Sequence, residues 1–178
     1  NLANLIYDLG ATTADYEENG SRMAVLGGGS SSRLFTEVRE ERGLCYSVSA
    51  GHQTQRDIAA AMAYSGTTAD RAQETLDVMV HEIATLPGTI TEDELARVKA
   101  RAKSSLVMQQ ESSAARAGGN ARQWYHLGHL RTLEEELRRL DDLSIESIER
   151  HLATHPMTDL TVVSLGNTPL EVPDAISP

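Results

Sequence analysis

Two polar side chains, seven positions apart, could act together on a polarised carbonyl group. Arg39 falls near the end of a predicted helix and Tyr46 near the start of a predicted strand, with Gly43 ending the helix between them. A helix-to-strand reversal at this glycine could bring both side chains to one edge of the fold, where guanidinium and phenol groups are good donors to an oxyanion. Spacing alone favours a simpler alternative, a surface arginine paired with Glu40 or Glu41 and a half-buried core tyrosine.

Two pairs of histidines have the spacing of metal ligands on a helix. His126 and His129 are three positions apart, and His151 and His155 are four apart; both spacings can place two imidazoles on one helix face. Neither pair contains the glutamate of an H-E-x-x-H motif, which would act as general base. We therefore predict exposed helix histidines and no cofactor bound by this chain. A stand-alone metal hydrolase built on either pair is the less favoured alternative.

A glycine triplet at 27–29, followed by three serines, precedes the predicted Arg39 helix. Its backbone amides could bind an anion at a helix start, although the G-K-[ST] of a phosphate loop is missing. Helix capping by the serines explains the same residues equally well. Cys45, the one cysteine of the chain, excludes an internal disulfide and is predicted to be a small core residue.

Hydrophobic periodicity predicts the elements that must position these residues. Leu44, Tyr46 and Val48 are expected on one strand face, and Thr91 with Glu94 has the spacing of a capping box. The A-G-G-N stretch at 117–120 is expected to interrupt a helix that begins at Thr91. Strands are predicted at 2–9, 44–50, 58–65 and 160–165, the last of them buried, and helices at 16–26, 30–43, 67–86, 91–110, 121–127, 133–140 and 144–154.

This order of elements predicts an α+β fold, a two-layer sandwich in which helices cover one face of a mostly antiparallel sheet. We assign residues 1–168 to one domain and residues 169–178 to a loose tail punctuated by prolines. The chain begins with Asn1, and we expect it to be a piece of a longer protein. A formal net charge of −10 argues against nucleic acid as a partner. Without an apolar run of spanning length, we expect no membrane partner and a soluble protein of the cytoplasm or another non-membrane compartment.

Resemblance to a known family is carried by the stretch LGGGSSSRLFTEVREERGLCYSVSA. It is similar to the zinc-free, inactive half of the pitrilysin/insulinase family of zinc metallopeptidases, in which an Arg-bearing helix leads into a Gly-Leu-x-Tyr-Ser strand. Two later stretches, ITEDELARVKARAKSSL and LTVVSLG, resemble further motifs of that family in the same order. The resemblance implies the two-layer fold of these peptidases. The segment YEENGSRMAVL departs from it, being more polar than the family's apolar helix.

The resemblance also implies a division of labour. In that family the zinc ligands and general base belong to an inverted H-x-x-E-H motif in a homologous partner half, and this sequence contains no such motif. Arg39 and Tyr46 match the residues that hold the peptide substrate and stabilise its tetrahedral intermediate, whereas Arg42 falls at the wrong position. We therefore expect the non-catalytic half of a two-half zinc endopeptidase, with the zinc-bearing half on the same polypeptide or a separate subunit. The alternative is a non-proteolytic structural or peptide-binding relative.

Overall fold

The computed structural model describes residues 2–8, 16–54, 59–157 and 160–173. They form a mixed arrangement of four strands and several helices. In chain order the elements are β1 (Leu2–Asp8), α1 (Tyr16–Gly27), a π-helix (Phe35–Glu41), β2 (Cys45–Thr54), β3 (Ala59–Thr67), a 3₁₀ turn (Ala69–Arg71), α2 (Ala72–Thr85), α3 (Glu92–Gln109), α4 (Ser113–Leu127), α5 (Leu133–Asp142), α6 (Ile145–Thr154) and β4 (Thr161–Leu165).

The strands form one sheet in the order β2-β3-β1-β4. Every pairing is antiparallel within the described ranges, including the predicted hairpin of β2 and β3, in which Val48 lies opposite Ser65. The prediction that the last strand is buried is wrong. β4 lies at the sheet edge beside β1, and Val163 and Leu165 are 47% and 68% exposed.

The core lies between the sheet and the helices. On β3 the side chains of Ala59, Ala61 and Ala63 are buried, as the two-residue period of a strand requires for the face covered by helices. Their small size leaves room for larger side chains from α1, the π-helix and α2. The two-layer prediction is thereby confirmed, with a main cluster that includes Met23, Leu26, Leu34, Val38, Leu44, Leu76, Met79, Val80 and Ile83.

The polar segment at 16–27 forms a full helix despite its glycine. Met23, Val25 and Leu26 are buried, so its apolar positions still form a face toward the core. At the end of α1, a Cβ on Gly27 would lie 2.2 Å from the backbone nitrogen of Ala50. Only glycine therefore allows α1 to approach β2 this closely.

The helix break in the second half differs from the prediction. The A-G-G-N stretch at 117–120 lies inside α4, and the interruption falls earlier, between Gln109 and Ser113. Ser112 begins α4 by accepting a hydrogen bond of 3.2 Å from the amide of Ala115. A capping side chain outweighs two glycines here, since each glycine costs a helix only about 1 kcal/mol relative to alanine. None of the described helices is both long and apolar enough to cross a bilayer.

Candidate substrate-contacting site

The helix that carries Arg39 is wound as a π-helix from Phe35 to Glu41. Leu34 and Val38 are fully buried, whereas Arg39 is exposed. The expected serine cap is not formed at Ser32, whose hydroxyl instead donates 2.6 Å to the carbonyl oxygen of Gly29. π-helical turns are rare and occur often at functional sites, so the π-helix favours a functional role for this segment.

An ion pair fixes the start of this helix against α3. Arg33 donates from Nε and Nη2 to the two carboxylate oxygens of Glu94, at 2.7 and 3.0 Å, and also to Thr89. Burial opposes ionisation of Glu94, but the hydrogen bonds from Arg33 and Thr91 outweigh it and lower the pKa of Glu94 to about 2. Glu94 also completes the predicted capping box with Thr91, which is confirmed.

The turn between the helix and β2 is held at its backbone. Gly43 has a φ of +59°, a left-handed conformation that favours glycine. The amide of Leu44 donates 2.8 Å to the carbonyl of Val38. Two side chains at and just after the end of β3 also hold the turn. Arg71 donates a hydrogen bond to the carbonyl oxygen of Gly43, and Thr67 donates one to the carbonyl oxygen of Leu44. The helix and the strand therefore leave this turn in fixed directions.

Tyr46 sits in an irregularity of the sheet that turns it outward. Cys45 pairs with Thr67 while Ser47 already pairs with Gly66, so that Tyr46 is the extra residue of a bulge. Its side chain is 66% exposed. The prediction of a half-buried core tyrosine is therefore wrong, and so is the prediction that Tyr46 shares a strand face with Leu44 and Val48.

The bulge changes which neighbours of Tyr46 face the core. Leu44 is buried, and Cys45, Val48 and Ala50 pack against the core cluster. The regular alternation that placed Tyr46 on the face of Leu44 and Val48 is broken because the extra residue shifts the strand by one position. The prediction that Cys45 is a core residue is confirmed.

Two residues of β3 support Tyr46, and the sequence did not identify either of them. A Cβ built on Gly66 would lie 2.6 Å from both Cζ and Oη of Tyr46, so the phenol ring rests on the bare glycine backbone. A hydrogen bond with the Tyr64 hydroxyl raises the pKa of Tyr46. A glycine within a strand often marks a close approach of another group to the backbone, so Gly66 in the predicted strand region could have indicated this contact.

Arg39 carries a charge that its neighbours leave uncompensated. No carboxylate lies within 4.0 Å of it in the described part of the chain, so the expected pairing with Glu40 or Glu41 is wrong. Its guanidinium carbon lies 5.0 Å from the centroid of the Phe35 ring, a cation–π contact that orients the side chain. Burial raises the pKa of the Cys45 thiol and the positive charge of Arg39 opposes this, which places Arg39 within electrostatic reach of the residue next to Tyr46.

The two histidine pairs differ in their geometry. α4 ends at Leu127, so His129 lies beyond the helix and does not share a helix face with His126 as predicted. The rings of His151 and His155 stack with centroids 4.6 Å apart, and His151 is buried rather than exposed. Across the described residues, no group of three or more histidine, cysteine, aspartate or glutamate side chains could hold a metal ion.

Comparison with known families assigns the chain to a class. The family model of the peptidase M16 inactive domain matches residues 4–102, and the chain therefore belongs to this family as one of its inactive domains. The expected resemblance to zinc metallopeptidases is thereby confirmed.

Curated relatives are named zinc proteases, and the match covers only part of each of them. A Bacillus subtilis protein named uncharacterized zinc protease YmxG is 34% identical over 149 residues, which cover 82% of this chain and 36% of that protein. The Mycobacterium tuberculosis protein named uncharacterized zinc protease Rv2782c is 34% identical over 131 residues, covering 71% and 30% of the two chains. The present chain thus spans about a third of the length of these relatives.

Solved structures agree with the architecture. The peptidase M16 inactive domain from Pseudomonas fluorescens superposes with a TM-score of 0.80 at 26% identity, over 97% of this chain and 42% of that one. A chain of complex III from Candida albicans shares the fold with a TM-score of 0.72 at 19% identity, over 86% of this chain and 40% of that one.

Proposed function

We propose that this domain is the non-catalytic half of a two-half zinc endopeptidase and that Arg39 and Tyr46 contact the peptide substrate. The observation that carries the proposal is the placement of these two side chains. Both are exposed, on either side of the anchored Gly43 turn, and Arg39 has no carboxylate within 4.0 Å in the described ranges. A folded domain gains nothing in stability from leaving the Arg39 guanidinium without a carboxylate, whereas a bound peptide would supply an acceptor for it.

The two donors suit different parts of the same task. A guanidinium always carries its charge and can bind a carbonyl or carboxylate through a fork of hydrogen bonds. A protonated phenol supplies one neutral hydrogen bond. Donors held in place before reaction stabilise charge that develops on the scissile carbonyl oxygen, and one such donor contributes about a hundredfold to turnover.

Hydrolysis itself is assigned to a partner half. The described residues of this chain offer no metal-binding cluster, and the match to the relative named zinc protease YmxG covers 36% of that protein. We therefore place the zinc ion and the general base in a homologous half, on the same polypeptide or a separate subunit. This chain then depends on closure of the two halves to bring its donors to the substrate.

The test compares neighbouring arginines in the whole protein that contains this chain. Arg39→Ala should lower kcat/KM for peptide hydrolysis on the order of a hundredfold, because it removes a charged donor. Arg42→Ala is the matched control, since Arg42 is also exposed but lies 3.9 Å from Glu37 and should leave kcat/KM within twofold, roughly, as expected for a surface residue. Equal turnover in both variants and the unaltered protein would contradict the proposal.

A second function is kept because the fold also occurs in a chain of complex III. A structural or peptide-binding relative would use the same exposed donors without hydrolysis. In that case the whole protein would bind peptides, and Arg39→Ala would weaken binding, yet no cleavage products would appear in a zinc-supplemented assay.

A further inference from the structure

A cleft separate from Arg39 and Tyr46 opens between α1, α3 and α5. Its volume is about 380 Å³, within the range of small-molecule sites. Apolar side chains from the three helices form much of its wall, among them Val25, Val98, Leu106 and Leu140. An apolar wall with a few convergent polar groups is the usual composition of a ligand site.

Two arginines of α3 supply positive charge to this cleft. Arg97 and Arg101 are four residues apart and therefore lie on the same side of the helix. Neither has a carboxylate within 4.0 Å or a hydrogen bond to another side chain or backbone group in the ranges that the structure describes. Both side chains are exposed and therefore accessible to a ligand.

The acidic residues of the cleft are already compensated. The two carboxylate oxygens of Glu94 accept hydrogen bonds from Nε and Nη2 of Arg33. Glu136 lies 3.6 Å from Arg131 and accepts a hydrogen bond of 3.1 Å from Gln123. The positive charge of the α3 arginines therefore remains for a ligand from outside.

The glycine loop shapes the polar end of the cleft. The guanidinium of Arg101 lies directly against Gly29, where a Cβ would be 2.0 Å from its Nη1. Burial, with a smaller contribution from Arg22, lowers the pKa of His52, which lines the same cleft and is thus a neutral hydrogen-bonding group at pH 7. The glycine triplet at 27–29, for which the sequence allowed either helix capping or anion binding, therefore lies beside one of the two arginines of the cleft.

We propose that this cleft binds a small amphipathic organic anion. Arg97 and Arg101 would receive its carboxylate, and the apolar walls from α1, α3 and α5 would cover its hydrocarbon body. Charged hydrogen bonds from arginine and burial of apolar surface would then contribute together. This site does not depend on the proposed peptidase function, because no residue of the Arg39–Tyr46 turn lines it.

The test titrates octanoate into the whole protein by calorimetry at low ionic strength. Octanamide has the same hydrocarbon body without the charge, and acetate has the charge without the body. We expect octanoate to bind, and to bind on the order of tenfold more tightly than either comparison compound. The imidazole signals of His52 should shift on addition of octanoate, which locates binding at the cleft.

Substitutions then assign the binding to the arginines. Arg97→Gln with Arg101→Gln should weaken octanoate binding on the order of tenfold, while Arg116→Gln, an exposed arginine of α4 outside this cleft, should leave it unchanged. Arg101→Lys keeps the charge and should retain most of the affinity, which separates loss of charge from loss of fold. No octanoate binding, equal binding of octanamide, or equal binding by the double variant would each overturn the proposal.

Discussion

The Gly43 turn and the α3–α4 region differ in what defines them. The turn combines a left-handed glycine, a strand bulge and a buried helix face within a dozen residues, and its donors point outward from a packed base. The α3–α4 region consists of two long helices with capped N-termini, and several of their apolar side chains are exposed, Met108 at 68% and Trp124 at 64%. The first region is part of the packed core, whereas the second is held by helix caps and surface ion pairs.

The largest expected difference concerns packing. Leu34→Ala should lower the free energy of unfolding by about 2–5 kcal/mol, because Leu34 is fully buried under the turn and its loss leaves a cavity. Met108→Ala, in the exposed region, should change it by less than about 0.5 kcal/mol. Denaturant unfolding of both variants measures the contrast, and similar losses would mean that the two regions are equally packed.

The Arg33–Glu94 pair joins the two regions and should make stability depend on pH. The pKa of Glu94 falls from an ordinary value of 4.5 to about 2 on folding. The stabilisation is therefore fully present above pH 4.5 and is lost as the pH falls from 4.5 toward 2. After solvent screening we expect a contribution of about 1–2 kcal/mol.

Glu94→Gln tests this linkage directly. At pH 7 it should lower the free energy of unfolding by that same amount, and its stability should change less between pH 5 and pH 3 than that of the unaltered protein. Parallel pH profiles for the two proteins would show that the ion pair contributes nothing measurable.

Support of Tyr46 by β3 is tested at Gly66. Gly66→Ala would place a methyl group 2.6 Å from the phenol, so the ring must move. In the whole protein we expect kcat/KM for peptide hydrolysis to fall on the order of tenfold, because misplaced donors lose much of their effect. The control is Gly51→Ala, also in the hairpin, where a Cβ meets nothing within 4 Å. Equal kinetics for both variants would remove Gly66 from the site.

The smallest effect is expected in α4. Gly118 lies inside the helix, and a Cβ there would meet nothing within 4 Å. Gly118→Ala should therefore raise the free energy of unfolding by about 0.5–1 kcal/mol through helix propensity. A decrease on thermal unfolding would indicate that residues 117–120 do break the helix.

Local sequence patterns predicted most helices and strands, but they did not predict the details of strand pairing. The Thr91 capping box and the β2–β3 hairpin were predictable because they depend on residues close in sequence. The outward turn of Tyr46 was not, since the bulge exists only in the pairing of β2 with β3. Features that depend on contacts between residues far apart in sequence were therefore harder to predict than helices or strands themselves.

The candidate sites show the same limit. Arg39 and Tyr46 were identified because both lie in one family motif beside a single turn. The Arg33–Glu94 pair joins residues 61 positions apart, and no sequence pattern connects them. The α3 cleft likewise arises only when α1, α3 and α5 pack together, so the glycine loop alone could not distinguish a helix cap from an anion site.

The most direct measurement removes one oxygen atom from Tyr46. Tyr46→Phe in the whole protein keeps the ring over Gly66 but abolishes the donor, and zinc content and thermal stability should stay unchanged. We predict a kcat/KM for peptide hydrolysis lower by about a hundredfold, carried mainly by kcat because the hydrogen bond strengthens as charge develops on the carbonyl oxygen. An unchanged kcat in a zinc-loaded, folded variant would contradict the role of this domain in the reaction.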